Sequence, residues 1–262
     1  MPLFKDQLLR EIYLEKTPQR IISLVPSQTE LLIDLGLEES LLGITKFCVH
    51  PTHLRSQKEI VGGTKSVHLD KIKALNPDII LCNKEENTKE MVEELEKIAP
   101  VHVSDIDTLE DSYELIRQYG ELFQVSDKAS ELIESIQQEH HKFQQIIANK
   151  SVKKVAYFIW KDPYMVAGGD TFIDYLLQEN KFKNVFEEIS RYPEVELQKL
   201  PDLDYLLLSS EPFPFSEKHS KYFEEYIPKE KIKFVDGEYF SWYGSRLEKA
   251  FSYFAKWHET EN

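Results

Sequence analysis

The sequence is short of several things, and each shortage closes a class. Of 262 residues only two are cysteine, Cys48 and Cys82, so no disulfide framework is expected and both thiols should be reduced. Basic charge is scarce. With 32 Lys and Arg against 46 Asp and Glu the net charge is -14, which gives nucleic acid or anionic lipid no surface to bind. No apolar run approaches the roughly 20 residues of a membrane-spanning helix, so direct membrane insertion is not expected. The opening Met1-Pro2-Leu3-Phe4-Lys5-Asp6-Gln7 lacks a basic region, an apolar region and a small-residue cleavage site. As it stands, the chain reads as cytoplasmic. Catalytic signatures are missing too: there is no Walker A sequence, no G-x-G-x-x-G, no G-x-S-x-G and no H-E-x-x-H.

What is present is an ordinary globular composition, 41% hydrophobic and 30% charged, patterned as strands alternating with helices. The buried strand expected over 20–25 stops at Pro26, and Ser27-Gln28-Thr29-Glu30 fits a capping box opening a helix that Gly36 ends. Strands are expected over 41–45, 79–82 and 101–103, with a helix between the last two carrying Met91, Val92, Leu95 and Ile98. The second half repeats the plan: strands over 154–160, 204–208 and 232–236, and a helix opened by Gly168-Gly169-Asp170-Thr171. Pro77-Asp78-Ile79-Ile80-Leu81 has its echo in Leu203-Asp204-Tyr205-Leu206-Leu207. The expected fold is therefore α/β, two Rossmann-like lobes with mostly parallel sheets. Between them 127–150 contains no Gly or Pro, and Ala129, Leu132, Ile133, Ile136, Phe143, Ile146 and Ile147 share one helical face. The division is a lobe at 1–126, a linker helix at 127–150, and a lobe at 151–262, with a monomer expected.

Open parallel sheets bind ligands beyond the carboxyl ends of their strands, so a cleft between the two lobes is the expected site. Ser27, Lys46, Phe47, His50 and Glu85 lie at such ends in the first lobe, and Trp160, Tyr164, Phe213, Trp242, Tyr243 and Arg246 in the second. Rings on loops expose apolar area unless a flat or bulky ligand covers it; the bland alternative is that they seal lobe cores. The other residues would anchor the ligand's polar groups. Arg246 could meet an anionic ligand group or Glu85 or Glu86, and the helix openings at Ser27 and Gly168-Gly169 could hold a carboxylate or amide arm. Cys48, His50, His53 and Cys82 supply possible metal ligands, and His50 alone could be an axial ligand to a metal centre, against the plain reading of an ordinary turn. No catalytic residue is assigned. An enzyme using Glu85, Glu86, Asp107, His50 and Lys46 as acid and base groups is the rival class.

Arg20-Ile21-Ile22-Ser23-Leu24-Val25-Pro26-Ser27-Gln28-Thr29-Glu30, then Gly36-Leu37, Leu42-Gly43-Ile44-Thr45, Val61-Gly62-Gly63 and Asp70-Lys71-Ile72-Lys73-Ala74-Leu75-Asn76-Pro77-Asp78-Ile79-Ile80 follow in order. This succession resembles the first lobe of helical-backbone substrate-binding proteins of ABC importers, most closely the vitamin B12-binding branch. The resemblance implies capture without chemistry of a corrinoid such as cobalamin, or of haem or a ferric siderophore, with no cofactor required. It also implies an ABC permease as partner and a periplasmic location. Members carry an export signal or lipoprotein cysteine, which this opening does not show. The branch places an acid on each lobe to meet permease arginines; the matching positions are Asp70 and, by a looser alignment over 193–201, Gln198, with Glu194 and Glu196 nearby. A cytoplasmic carrier or sensor of the same ligand is the remaining alternative.

Overall fold

Runs of Ile, Leu and Val covered on both faces fold as parallel strands, because the helices that return the chain pack on either side of the sheet. In a computed structural model describing residues 3–260 they form two such sheets. Met1 and Pro2, where the reading of an unaddressed amino terminus begins, lie outside the described residues, as do the last two residues of the second lobe. The chain divides into two compact units. One holds the residues up to Gln138 together with Trp242–Glu248, the other Glu139–Ser241 and the chain from Lys249 on.

The first unit begins with an antiparallel hairpin, β1 (Leu3–Lys5) and β2 (Glu11–Tyr13). Buried Asp6 turns it: its carboxylate accepts from the Leu8 and Arg10 amides at 3.0 and 2.9 Å, and from the Val103 amide at 3.1 Å. Then come β3 (Ile21–Ser23), α1 (Pro26–Asp34), β4 (Leu41–Ile44), α2 (Leu54–Gln57), β5 (Glu59–Ile60) and α3 (Leu69–Ala74). β6 (Ile79–Asn83), α4 (Lys89–Leu95), β7 (Val101–Ser104) and α5 (Leu109–Leu122) complete the sheet, whose order is β5-β4-β3-β6-β7. Every pairing in it is parallel. One core fills the space where Ile22, Leu24, Ile80, Cys82 and Val103 meet Met91, Val92 and Leu95 of α4.

The start of α1 differs from expectation. Its N-cap is Val25, with no side-chain cap, and Pro26 takes the first helical position, where a missing N–H costs nothing and a fixed φ is an advantage. Ser27 and Glu30 are therefore inside the helix and form no capping box. Its end follows the reading. Gly36 at φ +81° gives its amide to Ile33 O at 2.8 Å and Leu37 gives its own to Leu32 O at 2.9 Å, a closed Schellman turn.

α6 runs Ser126–Ile147, 22 residues and about 33 Å, three residues short of the expected end at Lys150. Ile146 is 41% exposed, a departure from the expected apolar face. At about 100° per residue, Phe143 and Ile147 share a stripe and the intervening Ile146 is turned off it.

The second unit carries β8 (Lys153–Trp160), β9 (Met165–Val166), α7 (Phe172–Glu179), β10 (Phe182–Asn184), β11 (Tyr205–Ser209) and β12 (Ile232–Val235). The short α8 (Gly237–Ser241) and the terminal α9 (Arg246–Thr260) follow. The parallel order is β10-β8-β11-β12, with β9 antiparallel beside β8. The duplication read in the sequence is seen here: β6 and β11 flank the first parallel strand of their units, and β7 and β12 lie outside them.

Candidate functional site

In each sheet the strand order reverses beside its first strand, at β3 and β6 in the first unit and at β8 and β11 in the second. At such a switch point the loops leaving neighbouring carboxyl ends run in opposite directions, the place where open parallel sheets bind ligands.

In the first unit the loop after β6 is set by two asparagines. Asn83 Oδ1 accepts from the amides of Glu85 and Glu86 at 2.9 and 3.0 Å, while Asn87 Oδ1 accepts from the Asn83 amide at 2.8 Å and its Nδ2 donates to Thr64 O at 2.7 Å. The turn fixes Glu85 and Glu86 at the strand end. Burial, the larger effect, raises the Glu86 carboxyl above the ordinary carboxylate range, against the opposing pull of Lys65. Lys65 Nζ donates to Glu85 O at 2.6 Å. After β4, Phe47 is 49% exposed with the Lys46 ammonium 5.0 Å from its ring centroid. His50 is half-buried and lies edge-on to Trp242 at 5.6 Å.

Trp242, Tyr243 and Arg246 depart from expectation. They were read as ring and anchor for a ligand, yet each is at least nine-tenths buried within the first unit. Tyr243 joins a polar network that sequence reasoning missed. Gln28 Nε2 donates to Tyr243 Oη at 3.0 Å and to Ser104 Oγ at 2.6 Å, and Tyr119 Oη donates to Gln28 Oε1 at 2.7 Å. Burial lifts both phenols well above their usual pKa, so both stay protonated. Arg246 Nε donates to Glu30 Oε2 at 2.8 Å, with side chains 7% exposed on both sides, and its guanidinium stands 4.9 Å from the Trp242 ring. Glu30 supplies its counter-charge. A buried charge needs a counter-charge, and Glu30 on the fully covered stretch of α1 supplies it. The one signal in the sequence was the polar run Gln28, Thr29 and Glu30 just after a buried strand, but Tyr243 and Arg246 lie more than 200 residues away.

Of the expected anion seats, the one at Gly168-Gly169 is filled by backbone carbonyls. Ser27 is buried in the first turn of α1. The Gly168 and Gly169 amides donate to Arg191 O and Ile189 O at 2.7 and 2.9 Å, and α7 is opened by Thr171, whose hydroxyl accepts from Asp174 N. A Cβ on Gly168 would sit 2.0 Å from Ile189 O; that close approach, with no ligand involved, is what requires glycine.

In the second unit Trp160, 39% exposed at the end of β8, meets Phe213 edge-on at 5.9 Å. Tyr164 and Phe213 themselves pack on the core through Phe223 and Phe215, so they act in part as the core seal weighed as the alternative. Glu211 Oε1, at the end of β11, accepts from Ser241 Oγ at 2.7 Å.

Cys48, His50, His53 and Cys82 are not gathered. The Cys48 thiol lies 3.1 Å from Thr29 Oγ1, Cys82 is in the apolar core, and His53 Nε2 is 2.7 Å from Glu38. Burial raises both thiols above the usual range, which makes them poor ligands. Among the described residues no group of three or more His, Cys, Asp or Glu is placed to hold a metal. Asp70 is exposed in the first turn of α3, and Gln198 is exposed on the turn Leu197–Lys199, giving its amide to Tyr226 Oη at 3.2 Å.

Comparison with known proteins places this architecture. The periplasmic binding protein family model matches residues 21–206. An uncharacterised ABC transporter substrate-binding lipoprotein of Bacillus subtilis, YvrC, is 26% identical over 187 residues, 68% of this chain and 59% of that protein. The vitamin B12-binding protein of Vibrio campbellii is 26% identical over 193 residues, 70% of this chain and 66% of its own length. The chain thus matches less than two thirds of either relative. In fold it is similar to a periplasmic heme-binding protein of Pseudomonas aeruginosa, with a TM-score of 0.80 at 20% identity, covering 91% of both chains. With the match spanning most of the chain, and as the resemblance in the first lobe implies, this chain belongs to the periplasmic binding protein family.

Proposed function

We propose that this chain is the substrate-binding component of an ABC-type importer. It holds a bulky metal chelate, a corrinoid such as cobalamin first and haem or a ferric siderophore after it, and performs no chemistry on it. The observation that carries the reading is the pair of exposed rings at strand carboxyl ends, Phe47 after β4 and Trp160 after β8, on a chain of this family. Large rings left open on otherwise polar loops gain by covering a flat ligand. His50, three residues beyond Phe47, would serve as an axial ligand if the bound metal has an open position. Asp70 and Gln198 are the positions at which each lobe meets the permease. The protein works as a monomer on the periplasmic side of the membrane; no helix of the described residues is long and apolar enough to cross it.

The test is a titration of the purified chain with cyanocobalamin, haemin and a ferric siderophore, followed by tryptophan fluorescence. At least one is expected to quench, with quenching reduced in Trp160→Phe. If none quenches and none is retained on gel filtration, the reading is wrong.

A further inference from the structure

The sheet of the second unit ends in an open edge. β12 is the last strand in the order β10-β8-β11-β12, so among the described strands it has a neighbour on one side. Successive residues of a strand turn their N–H and C=O to opposite edges, because the backbone is pleated. Val235 O accepts from the Ser210 amide, one residue past β11, at 3.0 Å. Lys233 and Val235 therefore bond inward to β11, and Ile232, Phe234 and Asp236 direct their groups outward. The outward donors at both ends are covered: the Ile232 amide donates to Lys229 O, and the Asp236 amide to Tyr253 Oη at 3.0 Å. Phe234 lies between them, and among the described residues no partner meets its outward N–H and C=O.

We propose that this edge binds an extended, acidic segment of another polypeptide, which joins the sheet as a further strand. A groove of about 550 Å³ lies along the gap, lined by Ile232, Lys233 and Phe234 together with Trp257 of α9 and Ser220 and Lys229 of the turns Glu217–Tyr222 and Lys229–Lys231. Its two faces differ. Ile232 packs with Phe223 and Ile227 in the core of the unit, and Phe234, two residues on and 38% exposed, shares that face. Lys233 points to the opposite face, where its ammonium stands 5.7 Å from the Tyr205 ring and Tyr205 meets Trp257 edge-on at 5.6 Å. A strand laid along β12 keeps the same alternation, so apolar residues fall beside Phe234 and acidic ones beside Lys233.

Charge selects the occupant. Lys229, Lys231 and Lys233 fall within five residues; Lys231 is turned to Leu203 O and Asp202, while Lys229 and Lys233 line the groove against Glu217. On a chain of net charge -14 this leaves a locally cationic edge, which attracts an acidic strand. It also resists a second copy, since that would lay one lysine-bearing strand beside another.

The experiment is a titration of a fluorescein-labelled octapeptide of alternating glutamate and valine with the full chain, read by fluorescence anisotropy. Saturable binding is expected, with the lysine–valine octapeptide weaker by about tenfold or more at low salt. Phe234→Pro removes the outward N–H and leaves the ladder to β11 intact, so its affinity should fall roughly tenfold below that of Phe234→Ala, at a similar melting temperature. Lys229→Glu, in a turn outside the strand, should weaken the acidic peptide about fivefold to tenfold. The Phe234 amide should exchange quickly with deuterium in the free protein and slowly with the peptide bound. Absence of binding by the acidic peptide, equal binding of the lysine peptide, unchanged affinity in Phe234→Pro or Lys229→Glu, or a Phe234 amide already protected in the free protein would overturn the assignment. Sedimentation showing a dimer that Phe234→Pro dissolves would give the edge to a second copy and overturn it too. Chelate binding is a separate matter: its failure would leave this edge as described.

Discussion

Replacing Arg246 by alanine should destabilise the first unit strongly, for a reason that reaches beyond the lost contact. Glu30 would keep its charge at a position where its side chain is only 7% exposed, and water could reach it poorly. Breaking one side of such a pair costs about 3–5 kcal/mol, because the stranded ion loses its counter-charge without regaining solvent. The guanidinium also gives up the Trp242 face, a smaller contribution of about 1 kcal/mol. Removing both charges together is different. Glu30→Gln/Arg246→Met replaces two desolvated ions by neutral side chains of similar volume and should come back to within about 2 kcal/mol of the parent. Equilibrium urea unfolding followed by circular dichroism measures all three proteins, with slopes compared so that midpoints convert to free energies. A loss under about 1 kcal/mol for Arg246→Ala, or a double variant no better than the single one, would refute the assignment of this pair as buried and mutually dependent.

Three further outcomes follow from the same packing. Tyr243→Phe should cost about 1 kcal/mol in the same assay, since it removes a buried hydroxyl that accepts from Gln28 inside the unit, while that amide keeps Ser104 Oγ as an acceptor. Gly168→Ala should lower the thermal midpoint of the second unit sharply, because the added carbon meets Ile189 O at 2.0 Å and backbone must move; an unchanged midpoint would mean the strand-like contact of 168–169 with 189–191 is wrong. His258 is buried against Phe182 with Nε2 3.2 Å from Asn180 Oδ1, and burial, aided by Lys150, pushes its pKa down to about 4. Since the unfolded chain takes up that proton near pH 6.5, stability should fall as pH drops from about 6.5 to 4. His258→Gln should flatten that part of the pH profile of the melting temperature, and an unaltered slope would count against the shift.

The fold was legible because periodicity and punctuation agree. The apolar runs at Ile21 to Ser23, Ile79 to Asn83 and Tyr205 to Ser209 are bounded by Pro26, Pro77 and Pro212, and they form parallel strands. Short edge pieces such as β5 and β10, and the hairpin of β1 and β2, escaped notice since two or three residues carry no period. At the candidate site, strand ends were legible in the sequence but the exposure of the side chains there was not. Phe47 and Trp160 are open as expected, whereas Trp242, Tyr243 and Arg246 are drawn inward by Gln28 and Glu30. Whether a loop ring or charge faces solvent depends on partners far off in sequence, and composition does not encode that distance. The Ser27 capping box failed for a local reason, since a proline one position earlier had already fixed the helix start.

The most direct test of the central claim is equilibrium dialysis of the purified chain against cyanocobalamin and haemin, with retained ligand identified by mass spectrometry. The account expects one chelate to be retained at one molecule per chain, to be recovered chemically unchanged, and to be retained less by Trp160→Ala and Phe47→Ala at unaltered melting temperature. Failure to retain either chelate, or recovery of a converted product, would contradict it.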